Sequence, residues 1–172
     1  PRISAGLTIN RDHNIRASLQ KGFRNPTTQD LFIGLNAGRA ILVGSSPDNL
    51  DRYSREYTTV DGVVVTQTGA AAYNNSYSQS SAEALAATGN PAVLEIANPE
   101  LVKPEQVTSV EIGYRGKLDK LTIDFSTYYN KYKDFISAEV VVAPLYGTVG
   151  DGGASVLAMA NGDFQAYSTY TN

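Results

Sequence analysis

Apolar and polar residues alternate strictly from the start of the chain. Over Arg2–Asn10, Ile3, Ala5, Leu7 and Ile9 share one face, while Arg2, Ser4, Gly6, Thr8 and Asn10 share the other. After a polar stretch at 10–14 the same period returns, with Ile15, Ala17 and Leu19 opposite Arg16, Ser18, Gln20 and Gly22. Period-two patterning on both sides of a short polar turn predicts an antiparallel hairpin. A second hairpin is predicted far downstream. There Val110, Ile112 and Tyr114 alternate with Ser109, Glu111, Gly113 and Arg115, and residues 116–120 turn the chain. Leu121, Ile123, Phe125, Thr127 and Tyr129 then alternate with Thr122, Asp124, Ser126, Tyr128 and Asn130. Strands are therefore expected near 2–10, 14–24, 106–116 and 120–136, with a fifth near 163–172.

The lengths add a second signal. An average strand in a globular protein has about 5–6 residues, whereas a bilayer-crossing strand needs about 9–11. The turns are short, but the connections near 25–105 and 137–162 are long, and structureless loops of that size are uncommon in compact soluble domains. Short turns at one end and long loops at the other is the habit of outer-membrane barrels. The larger connection is expected to be partly folded. Ser46, Pro47 and Asp48 open a helix over 46–57, with Leu50, Tyr53 and Tyr57 at helical spacing. Ser80 and Glu83 have the spacing of a capping box before a short helix at 82–88, with Gly89 as its stop. Between the helices, residues 57–68 read as strands about Asp61-Gly62, a hairpin dipeptide. A soluble sandwich would also need an apolar face; strand length and loop alternation favour the barrel.

Composition narrows the function classes. The chain has 172 residues, with 14 Lys and Arg against 17 Asp and Glu, and a net charge of −3. With no basic run, nucleic acid is disfavoured as a partner. Charged residues are 18% of the chain, below the roughly 25% of ordinary soluble domains, so hydroxyls and amides supply much of the polarity. The absence of Cys removes disulfides, thiolate metal sites and cysteine nucleophiles. No apolar run is long enough for a transmembrane helix, which leaves a β-barrel allowed. Both ends read as cuts through a longer polypeptide.

Candidate chemistry is sparse. His13 lies in a polar turn beside Asp12 and has no ligand set around it. The glycine-rich 147–153 stretch lacks the Gly-Lys-Ser/Thr ending of a phosphate loop and is expected to be a flexible loop tip. Asp48, Asn49 and Asp51 miss the calcium-loop pattern and suit the first turn of a helix instead. Asn74-Asn75-Ser76 is a glycosylation sequon only in form. No nucleophile with a plausible base is present, so an enzyme is not expected, nor any cofactor or metal.

Three motifs carry a family resemblance. Arg16-Ala17-Ser18-Leu19-Gln20-Lys21-Gly22-Phe23-Arg24-Asn25-Pro26 runs on through Gln29, Asp30 and Leu31. Lys103-Pro104-Glu105 is followed by Ser109, Glu111, Gly113 and Tyr114. Asp124 leads to Tyr128-Tyr129-Asn130-Lys131-Tyr132 and then Asp134-Phe135-Ile136. In that order these stretches resemble the TonB-dependent outer-membrane receptor family, with wording most similar to Bacteroidota-type receptors.

The resemblance implies an all-β fold, an excerpt of a 22-stranded antiparallel transmembrane β-barrel with long, partly helical extracellular loops. It implies location in the outer membrane of a Gram-negative bacterium and uptake of a nutrient of siderophore, vitamin, glycan or peptide class. Implied partners are outer-membrane lipid, the receptor's own plug domain, which is not in this stretch, and the TonB complex reached through the missing N-terminal region. A surface lipoprotein is a further candidate partner. On this reading Arg16, Gln20, Arg24, Asn25, Gln29, Asp30, Glu111, Arg115 and Asp124 are expected to face the lumen or the plug. Tyr53, Tyr57, Tyr73 and Tyr77 are candidates for a ligand-facing aromatic surface, with local loop packing as the alternative. The rival functions are a secreted β-sandwich that binds glycans and a passive porin or adhesin barrel.

Overall fold

Four long strands join in one antiparallel sheet in the computed structural model, which describes residues 1–172. They are β1 (Arg2–Asn10), β2 (His13–Arg24), β9 (Glu105–Leu118) and β10 (Leu121–Lys133), in the order β1-β2-β9-β10. Arg11 and Asp12 turn the first hairpin, and Asp119 and Lys120 the second, with Asp119 at a φ of 54°. Left-handed backbone suits Asp better than most residues, which explains a turn tighter than the 116–120 segment expected from the sequence. These strands form one unit, Pro1–Asn25 with Pro104–Phe135.

The apolar face of this sheet carries no covering layer. Ile3, Leu7 and Phe125 are 73%, 60% and 61% exposed, and Ile112, Ile123 and Tyr129 on the same face are exposed as well. A water-soluble sandwich buries such a face under a second sheet.

The connecting segments make a second unit, Pro26–Lys103 with Ile136–Asn172. Its main sheet has six strands in the order β3-β4-β12-β11-β7-β8. They are β3 (Gly34–Asn36), β4 (Ile41–Val43), β7 (Ser76–Ser78), β8 (Ile96–Ala97), β11 (Ser137–Pro144) and β12 (Phe164–Thr171). All neighbours are antiparallel except β4 and β12, which run parallel. Helices α1 (Thr28–Phe32), α2 (Pro47–Arg52), α3 (Ala70–Asn74), α4 (Gln79–Thr88) and α5 (Ala154–Asn161) and the hairpin β5 (Ser54–Thr58) and β6 (Val64–Thr68) complete the unit.

Strand β11 shows why this sheet forms. Val140, Val141, Val142 and Ala143 are a continuous apolar run, the pattern of a strand buried on both faces. Val141 and Ala143 join Ile41, Val43, Leu50, Ala72, Tyr73, Ala97 and Tyr167 in one core. Val142 points the other way, into a cluster with Tyr77, Leu85 and Met159. Two small cores therefore sandwich one sheet.

Several sequence expectations are corrected here. The strand expected over 120–136 stops at Lys133, because Asp134 adopts a φ of 55° and β11 then pairs in the other sheet. Residues 163–172 were expected as a fifth strand of the barrel. Phe164–Thr171 instead bonds to β11 and β4 in the six-stranded sheet. The connection over 137–162 contains β11 and α5. The helix expected over 46–57 ends at Arg52, and Ser54–Thr58 is a strand. Ser78, not Ser80, caps α4 by accepting from the Ser81 N–H. The β5–β6 hairpin has a three-residue loop with Gly62 alone at positive φ, since the Gly62 N–H donates to Thr59 O and the Thr59 N–H to Val63 O.

The 147–153 stretch is also not a loose tip. The Asp151 carboxylate accepts from the Thr148, Gly153 and Ser155 N–H groups and from the Ser155 hydroxyl. The Asn75 side chain adds two bonds, donating to Gly147 O and accepting from the Val149 N–H. Those donors hold the Asp151 carboxyl down at about 2, below its ordinary range. The stabilising effect is present above the ordinary Asp pKa and is lost as pH falls toward about 2. Asp151→Ala is expected to raise amide exchange at Thr148, Gly153 and Ser155 at neutral pH, leaving β11 and β12 protected; mass-spectrometric hydrogen exchange reads both.

Candidate functional site: the polar face of the strand sheet

Register builds the site. Across β1-β2-β9-β10, Arg2, Gln20, Ser109 and Asn130 form one polar row, and Ser4, Ser18, Glu111 and Tyr128 the next. Gly6, Arg16, Gly113 and Ser126 follow, then Thr8, Asn14, Arg115 and Asp124. Alternation thus gathers Arg16, Gln20, Glu111, Arg115 and Asp124 on one surface from three strands.

Arg16 lies flat over Gly113. A Cβ built at Gly113 would stand 2.5 Å from Arg16 Nε, so the absence of a side chain there makes the room. The guanidinium reaches toward Glu111, with Nη2 3.9 Å from Oε1, and both side chains are about half exposed. A pair this open and this long is worth only about 0–1 kcal/mol. A shallow groove of about 450 Å³ runs beside it, lined by Arg2, Ser4, Gly6, Arg16, Ser18 and Glu111. Glycine on the polar face opposite an arginine is a signal the sequence already held, and Gly113 was not singled out from it.

Near the end of the same face, Arg24 grips Glu105 through both carboxylate oxygens, with Nε to Oε2 at 2.6 Å and Nη2 to Oε1 at 2.9 Å. Glu105 is buried, so this forked pair is much the firmer of the two. Asn25 follows the strand and is exposed.

The remaining candidates lie elsewhere. Asp30 is 9% exposed and closes the capping box of α1, accepting from the Thr27 N–H at 2.8 Å while the Thr27 hydroxyl accepts from the Asp30 N–H. Its carboxylate is committed to a helix start in the second unit, which corrects its expected place on the lumen or plug side. Gln29 belongs to the same helix and donates to the Tyr170 hydroxyl at 3.0 Å. Tyr73 and Tyr77 are 4% and 3% exposed, so they are core residues and not a ligand-facing surface. The Tyr73 hydroxyl lies 3.2 Å from Val43 O and 3.1 Å from Tyr170 O, and burial raises its pKa to about 12. Tyr77 bonds Ser155 Oγ at 2.8 Å. Tyr53 and Tyr57 are partly buried against the larger core, and burial also raises Tyr57.

His13, expected to be solvated, is engaged by Tyr114. Its Nδ1 lies 2.7 Å from the Tyr114 hydroxyl, and the two rings stack with centroids 6.0 Å apart. Tyr114 leans over Gly116, where a Cβ would stand 2.2 Å from the tyrosine oxygen. An aromatic ring here covers a glycine gap in the sheet.

The sheet is thus apolar and uncovered on one side, charged and grooved on the other, with tight turns at one end. A family model described as TonB dependent receptor-like, beta-barrel, matches residues 1–172. The chain belongs to the TonB-dependent receptor β-barrel family. No curated protein and no solved structure matches it. TonB-dependent receptors are outer-membrane transport proteins of Gram-negative bacteria, not enzymes, and they work with a plug domain and TonB. For this TonB-dependent receptor chain, membership accounts for strands longer than a soluble domain needs. No helix of the chain is long and apolar enough to cross a membrane.

Proposed function

We propose that this chain is part of an outer-membrane active-transport receptor that binds a nutrient at its extracellular mouth and imports it with TonB-coupled energy. Strands β1, β2, β9 and β10 belong to a 22-stranded barrel, with the apolar face toward lipid and the polar face toward the lumen. The observation that carries this reading is the segregation of the sheet. Every carboxylate and arginine of the four strands (Arg2, Arg16, Arg24, Glu105, Glu111, Arg115 and Asp124) lies on the polar side. Within the family, the short turns at Arg11-Asp12 and Asp119-Lys120 are periplasmic and the second unit extracellular.

The polar rows then have a task that stability does not explain. Arg16 and Glu111 form too weak a pair to hold the barrel. Exposed charges beside a groove can instead hold a plug that must also be released. Gln20, Arg115 and Asp124 line the same wall, while Arg24 and Glu105 fix the strand ends beneath Asn25. The cargo is of siderophore, vitamin, glycan or peptide class, and the second unit, with Tyr53 and Tyr57 at its partly buried margin, contributes to the mouth where cargo or a surface lipoprotein docks.

Arg16→Ala or Glu111→Ala in the full-length receptor is expected to leave heat-modifiable mobility and abundance in outer membranes nearly unchanged. Energy-dependent uptake should change severalfold. Unaltered uptake in both variants, with normal assembly, would remove the plug-facing role.

A further inference from the structure

The apolar face of the four-stranded sheet does not stay apolar along its whole length. Toward the end remote from the tight turns, the row of Ile3, Leu19, Val110 and Tyr129 is succeeded by Lys21, Thr108 and Lys131. One row further, Phe23, Gln106 and Lys133 stand side by side. Three lysines therefore emerge on the side that carries no arginine and no carboxylate from any of the four strands. All three are exposed, and none takes part in an ion pair. Asp134 follows the strand, and its carboxylate accepts from the Gln106 amide at 3.3 Å.

Depth fits this placement. From Leu121 to Tyr129 the apolar rows span about 27 Å along the strand, or about 21 Å in depth at a tilt of about 40°. That is close to the apolar band of about 25 Å in such barrels. The lysine rows begin where the band ends, at the level of lipid headgroups. Lys21 and Lys131 stand about 10 Å apart across two strand spacings, with Lys133 about 7 Å beyond Lys131. Their long stems can lie along the apolar surface while the ammonium groups reach outward. The Thr108 hydroxyl and the Gln106 amide sit between them as neutral hydrogen-bond donors.

We infer that Lys21, Lys131 and Lys133, with Thr108 and Gln106, form a binding surface for the phosphate groups of anionic lipid in the outer leaflet. The inference rests on the barrel orientation proposed above. Compact ammonium groups suit a phosphate that shifts between neighbours, whereas arginines, suited to fixed forked pairs, are kept to the polar side. Charge complementarity selects the occupant: three lysines outnumber the single Asp134 carboxylate held by the Gln106 amide, so an anionic headgroup returns more to the cluster than a zwitterionic one.

The test uses the full-length receptor and phosphatidic acid as probe, with phosphatidylcholine as the zwitterionic comparison, read by native mass spectrometry of bound lipid. Each lysine is expected to contribute about fivefold to phosphatidic acid affinity. The combined Lys21→Gln, Lys131→Gln and Lys133→Gln variant should lose nearly all preference for phosphatidic acid. Lys117→Gln with Lys120→Gln, at the other rim, should keep it. An unchanged preference in the triple variant overturns the inference, as does equal loss in both variants. A fluorophore at Ala17→Cys separates this failure from failure of the orientation. Quenching there by brominated acyl chains, together with an unchanged lipid preference, sinks only the lysine surface. Absence of quenching sinks the lipid-facing reading itself.

Discussion

Ile15→Arg is expected to destabilise the assembled receptor by about 2–4 kcal/mol and to deplete the heat-modifiable form from outer membranes. Ile15 lies in the row Leu7, Ile15, Tyr114 and Phe125, midway between the turn-end row at Leu121 and the row of Tyr129. At that depth a guanidinium has neither water nor headgroup within reach. Leu19→Arg is the internal control. Leu19 is one row from Lys21, about 10 Å from the central row in depth, where the cost falls to about 0–1 kcal/mol. A sheet turned the other way would abolish the difference, because both positions would then face water in the lumen. Gel mobility before and after heating, on outer membranes from cells making each variant, reads the difference.

Tyr167→Ala should be the most damaging change in the second unit, at about 3–5 kcal/mol. The ring is fully buried in the larger core, and its hydroxyl donates to Gln67 Oε1 at 2.8 Å. The Gln67 amide in turn donates to Pro144 O at 2.9 Å, so one side chain joins β12 to the β5–β6 hairpin and the end of β11. Removing it leaves a cavity and an unpaired buried amide oxygen. Tyr167→Phe keeps the volume and strands only the Gln67 oxygen, which costs about 1–3 kcal/mol. Limited proteolysis of the full-length receptor should show new cleavage within 26–103 and 136–172 in the alanine variant. Heat-modifiable mobility should persist, since the four long strands have their own pairing.

Legibility in the sequence followed period and face. β1, β2, β9 and β10 are long, regular and polar on one side, so alternation located them and also gathered Arg16, Gln20, Glu111, Arg115 and Asp124 on one surface. The second unit was hard to read for opposite reasons. β3, β4, β7 and β8 have two or three residues each, too short to show any period. β11 is buried on both faces and so does not alternate, and β12 alternates much as a barrel strand would. Whether Phe164–Thr171 pairs in one sheet or another depends on partners distant in sequence. Asp30 illustrates the limit at a single residue. An acidic group three positions after Thr27 is a helix-start signal, but within a family motif beside a strand end it read as a lumen charge. For Tyr73 and Tyr77 the sequence leaves both a binding surface and local loop packing open, and burial in the two small cores favours the packing.

On the proposed orientation the odd-numbered side chains of β10 meet lipid while the even-numbered ones do not. Single cysteines at each position from 122 to 129 in the full-length receptor, labelled with a small fluorophore and reconstituted with brominated acyl chains, test it directly. Strong quenching at 123, 125, 127 and 129 and weak quenching at 122, 124, 126 and 128 is the predicted result. Uniform weak quenching, or quenching concentrated at the even positions, would contradict it.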